Sequence, residues 1–196
     1  MEQRTFDYIL KKLESEKKPV QRQPEDIDKI IKLCESACLN LGFIWKHGET
    51  EKQAINAIFN SNGAMFLGEK GTGKTLSMQL ASKIWGYLRG NYAFISTDKL
   101  SLKFANEGAE SLLMLEKIPL FLDDLGTEMP TYNSYGNKVD VISTLLFMRY
   151  ESKAPTFCTT NLTIEQLKER YGERLADRFK QMFVPVIFKG ESKRGN

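Results

Sequence analysis

The chain has 196 residues, a formal net charge of +3, 27% charged residues and 41% hydrophobic residues. That is ordinary globular composition, enough for one domain with a buried core and a small appendage. No apolar run approaches the roughly 20 residues of a membrane-spanning helix. The acid-bearing start "MEQRTFDYILKKLESEKK" lacks the apolar stretch of a signal peptide, so a cytoplasmic location is expected. The small positive charge permits a nucleic-acid partner without arguing for one.

Residues 1–24 are polar apart from "FDYILKKL", which predicts a short amphipathic helix followed by a linker. Asp26 is placed to cap a helix running to about Leu41. Ile27, Ile30, Ile31, Cys34, Cys38 and Leu41 share its apolar face. No second Cys or His pair follows, so the two cysteines read as core residues rather than zinc ligands. His47 alone makes no metal site. "ETEKQAINAIF" (49–59) is a second helix, so residues 25–60 lead into a core over 61–196.

"GAMFL" (63–67) reads as a buried strand, and residues 75–90 as a helix with Leu76, Leu80, Ala81, Ile84 and Leu88 at helical spacing and Gly90 as its stop. "YAFIST" (92–97) is a strand, and "DKLSLKFANEGAESLLMLEKI" holds one or two helices. "IPLFLDDLG" (118–126) is a strand ending in acids, residues 139–152 a helix, and "PTFCTTN" (155–161) a strand that buries Cys158. Residues 163–183 are helical with a break near Gly172, and "VPVIF" (184–188) is the last strand. Five strands separated by helices predict an α/β fold with a parallel sheet covered on both faces.

Gly68, Gly73, Lys74 and Thr75 satisfy G-x-x-x-x-G-K-[ST] between a strand and a helix, the context this phosphate-loop motif needs. Gly68, Gly71 and Gly73 let backbone N–H groups turn inward toward phosphates. The predicted nucleotide cradle is therefore Gly68, Glu69, Lys70, Gly71, Thr72, Gly73, Lys74, Thr75 and Leu76. Lys74 reaches the β- and γ-phosphates, and the Thr75 hydroxyl ligates Mg²⁺. The plainer alternative is a glycine turn before an ordinary helix.

A buried strand delivers the carboxylates at its end to the sheet edge where ligands bind. Asp123 is placed to hold Mg²⁺, and Asp124 to act as the base that orients attacking water, with Glu128 next in line. Acids that merely end a strand are the alternative. Aspartate is one methylene shorter than the glutamate usual at such a base, which predicts slow hydrolysis. One strand separates the two motifs in sequence, as in the ASCE branch of phosphate-loop ATPases, where a further strand lies between them in the sheet. "PTFCTTN" is the candidate for that strand. Asn161 at its end would contact the water or the γ-phosphate, or else cap the next helix. No guanine-specifying N-K-x-D follows.

Together, "GEKGTGKT", "LFLDDLGTE", "TTNLTIEQLKERYGERLADRF" and "GESKR" resemble the bacterial replicative helicase loaders DnaC and DnaI, and equally their transposon-borne relative IstB, over about residues 60–194. All are AAA+ ATPases. The resemblance implies a five-stranded AAA+ core without a full C-terminal lid, ATP and Mg²⁺ as cofactors, and ATP hydrolysis. It also implies a homo-oligomer assembled on single-stranded DNA, with a replicative helicase or a transposase as partner. Arg178 matches the arginine finger that reaches a neighbouring subunit's γ-phosphate, with Arg174 as an alternate; otherwise both are solvated helix cations. Arg194, beside Lys193, matches the sensor-2 arginine, or belongs to a basic tail. Lys99, Lys103 and Lys138 would neutralise DNA phosphates, and Phe104, Tyr132 or Tyr135 would stack on bases, unless these rings belong to the core or a polar loop. Residues before the core match no recognised partner-binding domain. A nucleotide-gated assembly module with little turnover is the remaining reading.

Overall fold

The computed structural model describes residues 25–42, 44–134 and 137–190. The helix expected within residues 1–24, and Tyr135, Lys193 and Arg194, lie outside the described residues. Two helices come first, α1 (Ile27–Asn40) and α2 (Glu49–Asn60). The chain then alternates through β1 (Gly63–Gly68), α3 (Lys74–Arg89), β2 (Ala93–Ser96), α4 (Thr97–Glu107), the short α5 (Glu110–Leu113) and β3 (Leu120–Leu125). A hairpin of β4 (Tyr132–Ser134) and β5 (Asn137–Val139) precedes α6 (Val141–Ser152). The last elements are β6 (Thr156–Thr160), α7 (Ile164–Met182) and β7 (Val184–Phe188).

Local chemistry sets these boundaries. Asp26, Ser96, Asp140 and Thr163 each accept a hydrogen bond from a first-turn backbone N–H of the helix they open. Gly90, at φ 88°, ends α3 where it was expected to. Gly172 takes φ 78° and ψ 161°, values no helix contains, and kinks α7 at the expected break. The β4–β5 hairpin is an addition to the expected elements.

The five main strands form one sheet in the order β2-β3-β6-β1-β7, and every pairing in it is parallel. β6 thus lies between β1 and β3, as the ASCE reading requires. Alternate residues serve opposite faces. Phe66, Phe121 and Phe157 face α1, α2 and α3, whereas Met65, Leu67, Leu120, Leu122 and Cys158 face α4 to α7. Phe121 and Phe157 are register partners with ring centroids 4.9 Å apart, and Trp85 meets both edge-on at 5.9 and 5.4 Å. These rings clamp α3, and with it the start of the site, onto β3 and β6. Cys34, Cys38 and Cys158 are all fully buried. Leu41, expected on the apolar face of α1, is 62% exposed, because the helix ends one residue earlier. No helix among the described residues is long and apolar enough to cross a membrane.

Phe104 is a correction to the expected base-stacking set. It is 5% exposed and packs in the core under α4. Tyr132 is half-buried against the same core. Lys99 and Lys138 are exposed, and Lys103 pairs with Glu107 at 3.6 Å.

Arg149 on α6 is the largest fully buried side chain. Its Nε donates to Thr156 Oγ1 at 2.9 Å, Nη2 to the Pro155 carbonyl at 2.5 Å, and Nη1 to the Leu115 carbonyl. Burial lowers its pKa to about 10, so the guanidinium stays charged at neutral pH. It ties the turns before β3 and β6 to one helix at the edge of the sheet where these strands begin. Arg149→Met keeps the aliphatic stem but strands those acceptors, each costing about 1–3 kcal/mol when buried. A urea-unfolding midpoint well below the wild type's is expected; an unchanged midpoint would mean the carbonyls find other donors.

Candidate nucleotide-binding site

The carboxyl ends of β1, β6 and β3 lie side by side, and the loop leaving β1 folds over them. Gly68 closes β1 at φ 150°, and a Cβ there would stand 2.2 Å from the Phe188 carbonyl oxygen. Only glycine tolerates that approach. Gly71 and Gly73 sit at φ 87° and 100°, so the loop curls back and delivers its chain to the first turn of α3. Thr72, 3% exposed, donates its hydroxyl to the Glu69 carbonyl at 2.9 Å and pins the curl.

Lys74 lies under this loop with 4% of its surface exposed. Its Nζ donates to the carbonyls of Gly68 and Glu69 at 2.6 and 2.7 Å, and to Asn161 Oδ1 at 2.9 Å. That last bond joins the loop to the end of β6. The cap of α7 is Thr163, with a full capping box, and not Asn161.

Thr75 Oγ1 donates to Asp123 Oδ1 at 3.0 Å. Asp123 is 7% exposed and also receives the Thr159 hydroxyl at 2.6 Å. Asp124 stands at φ 57°, a left-handed conformation unusual outside glycine. Its carbonyl accepts from the hydroxyls of Thr97 at 2.8 Å and Thr127 at 2.9 Å. A cavity of about 440 Å³ opens over these groups, lined by Lys70, Gly71, Gly73, Lys74, Thr75, Leu76, Asp124, Thr127 and Asn161. The structure therefore gathers most of the loop with Asp124 and Asn161, sets Asp123 behind Thr75, and leaves Glu69 exposed at the rim.

Glu128 is not placed as a reserve base. It is 4% exposed, and its carboxylate accepts from the Gly126 N–H at 3.0 Å, from Arg170 Nη2 at 3.0 Å and from the Tyr171 hydroxyl at 2.6 Å. Burial and the Glu128 charge push the Tyr171 phenol well above its ordinary range, so Tyr171 remains a donor. Glu128 thus fastens the turn after β3 to α7. The two candidate arginines stand beyond Gly172 on that helix and do not line the cavity. Arg174 lies over the Phe147 ring at 5.2 Å. Arg178 lies 5.5 Å from Phe147 and 5.0 Å from Tyr150, and donates to the Arg174 carbonyl at 3.1 Å. The sequence reading missed Thr97, Thr127 and Thr159. No local sequence pattern marks them.

Neither the protein-family models nor the curated protein sequences give a match. Solved structures do. The crystal structure of DnaI aligns over 91% of this chain and 89% of its own, with a TM-score of 0.56 and 21% identity. The DnaC helicase loader aligns over 80% of this chain and 98% of its own, at TM-score 0.61 and 23% identity. The AMPPCP-bound DnaA of Aquifex aeolicus aligns over 76% of this chain and 50% of its own, at TM-score 0.58 and 18% identity. With its sheet order, its glycine loop and these structural likenesses, the chain shares the α/β phosphate-loop fold of these proteins.

Proposed function

We propose that this protein is an ATP-binding and ATP-hydrolysing accessory protein of DNA replication, of the helicase-loader kind, which assembles with copies of itself on single-stranded DNA. The observation that carries the reading is the convergence of Lys74, Thr75, Asp123, Asp124 and Asn161 on one sheet edge under a glycine loop. In support, DnaC is described as a helicase loader, and a further similar structure is a replication initiator DnaA bound to AMPPCP and single-stranded DNA (TM-score 0.57, 18% identity). IstB-like service to a transposase is the alternative process for the same ATPase.

The donor set fits a nucleotide. The loop's N–H groups and the amino end of α3 favour phosphate, and Lys74, which lines the cavity, would exchange its carbonyl partners for phosphate oxygens. Mg²⁺ takes most of its ligands from phosphates and water, so few protein oxygens are needed. Thr75 and Asp123 would hold it, and it would neutralise charge on the phosphates. Asp124 orients the attacking water. Asn161, once released from Lys74, would offer its amide to the γ-phosphate. Arg178 and Arg174 lie outside their own cavity, so as catalytic cations they serve a neighbour's site. The exposed Lys99 and Lys138 are the DNA-phosphate candidates.

Asp124→Asn preserves shape and removes the base. Nucleotide affinity should stay near wild type, while turnover in the presence of single-stranded DNA falls about 100-fold or more. Unchanged turnover would assign water activation to another group. Wild-type turnover that is negligible with and without DNA would favour the nucleotide-gated assembly module.

Subunit mixing tests the arginine. Arg178→Ala and Lys74→Ala should each be nearly inactive alone. In the mixture, an interface that pairs an intact Lys74 with an intact Arg178 is whole, so partial activity should return. No recovery at any ratio, with mixed oligomers shown to form, would remove Arg178 from the neighbour's site.

A further inference from the structure

β3 and β6 fall out of register just where the site begins. Between the pairs Leu122↔Cys158 and Leu125↔Thr160, β3 advances one residue more than β6. This bulge puts Asp124 at its positive φ. A bulge also takes backbone groups away from their ladder partners, and a buried N–H left alone is costly. Here the missing partner is a side chain. Thr159 Oγ1 accepts from the Asp124 N–H at 2.9 Å and donates to Asp123 Oδ1 at 2.6 Å. One hydroxyl therefore spends both its capacities on consecutive residues of β3. Thr159 is fully buried and stands behind the residues that line the cavity.

The same Asp123 Oδ1 accepts from Thr75 Oγ1. Two hydroxyls thus converge on one carboxylate oxygen from opposite sides, one on the loop helix and one on the neighbouring strand. That fixes the carboxylate's rotation. If Thr159 were present only as a β-branched strand residue, Val would serve as well.

We infer that Thr159 is a positioning residue which keeps Asp123 set for Mg²⁺ and holds the Asp124 backbone in its bulge. The inference rests on the nucleotide reading above. Outer-shell partners of this sort change metal affinity by roughly 10–100-fold when removed.

The test measures binding of a fluorescent, non-hydrolysable ATP analogue, with Mg²⁺ and with EDTA, alongside thermal unfolding. In Thr159→Val the Mg²⁺ concentration giving half of the affinity gain should rise about tenfold or more. Affinity in EDTA should stay near wild type, and Thr159→Ser should restore the wild-type Mg²⁺ response. Thr159→Ala makes the same measurement without a methyl pressed against the carboxylate, should the Val variant fail to fold. A Val or Ala variant that is folded and responds to Mg²⁺ like the wild type overturns the inference alone. A Ser variant that responds like Val overturns it too, because the hydroxyl would not be the active feature. A wild type that binds no analogue overturns the functional reading and the inference with it.

Discussion

One carboxylate oxygen holds the site together. Asp123 Oδ1 receives a hydroxyl from the first turn of α3 and another from β6. It can do so only because β6 lies between β1 and β3, which sets the end of the loop strand and the end of the acidic strand on either side of the same threonine. The spacing is in turn held by the packed rings of Phe121, Phe157 and Trp85 on the opposite end of the layer. Apolar packing, strand order and a pair of charge-assisted hydrogen bonds are thus successive links of one chain. Loss of the order or the packing would leave the polar residues present but unaligned.

The turn that follows Asp123 is fastened from several directions. Thr97 and Thr127 take the Asp124 carbonyl, Thr159 takes its N–H, and Glu128 closes the turn on Gly126 while gripping Arg170 and Tyr171. These partners come from α4, β6, α7 and the turn itself. A left-handed aspartate costs energy and persists only where its surroundings over-determine it. Through Glu128, the same turn is joined to the first half of α7, and Gly172 then redirects the helix that carries Arg174 and Arg178. The acids of the cavity are therefore connected to Arg174 and Arg178 through one turn and one helix.

Much of this was legible in the sequence. The glycine loop, the apolar strand ending in two aspartates and the strand inserted between them have short-range signatures, and all appear where expected. So does the break at Gly172, since glycine is where a helix can leave its φ/ψ region. The threonines were not legible. In a buried strand a Thr reads as a β-branched filler, and only the bulge at Asp124 shows that its hydroxyl is needed. Glu128 was misread for a related reason. Its partners Arg170 and Tyr171 are more than 40 residues away, and no local pattern announces the pairing. The strands of the β4–β5 hairpin are three residues each, too short for an alternation to register. Phe104 could be assigned to the core only once the sheet face under α4 was known.

The central claim is that Lys74 under the glycine loop is there for a nucleotide phosphate. Calorimetric titration of the wild type and of Lys74→Ala with a non-hydrolysable ATP analogue and Mg²⁺ tests it most directly. Saturable, heat-releasing binding to the wild type is expected, with loss of tight binding to a Lys74→Ala variant that melts cooperatively. Equal affinity of the two proteins would contradict it.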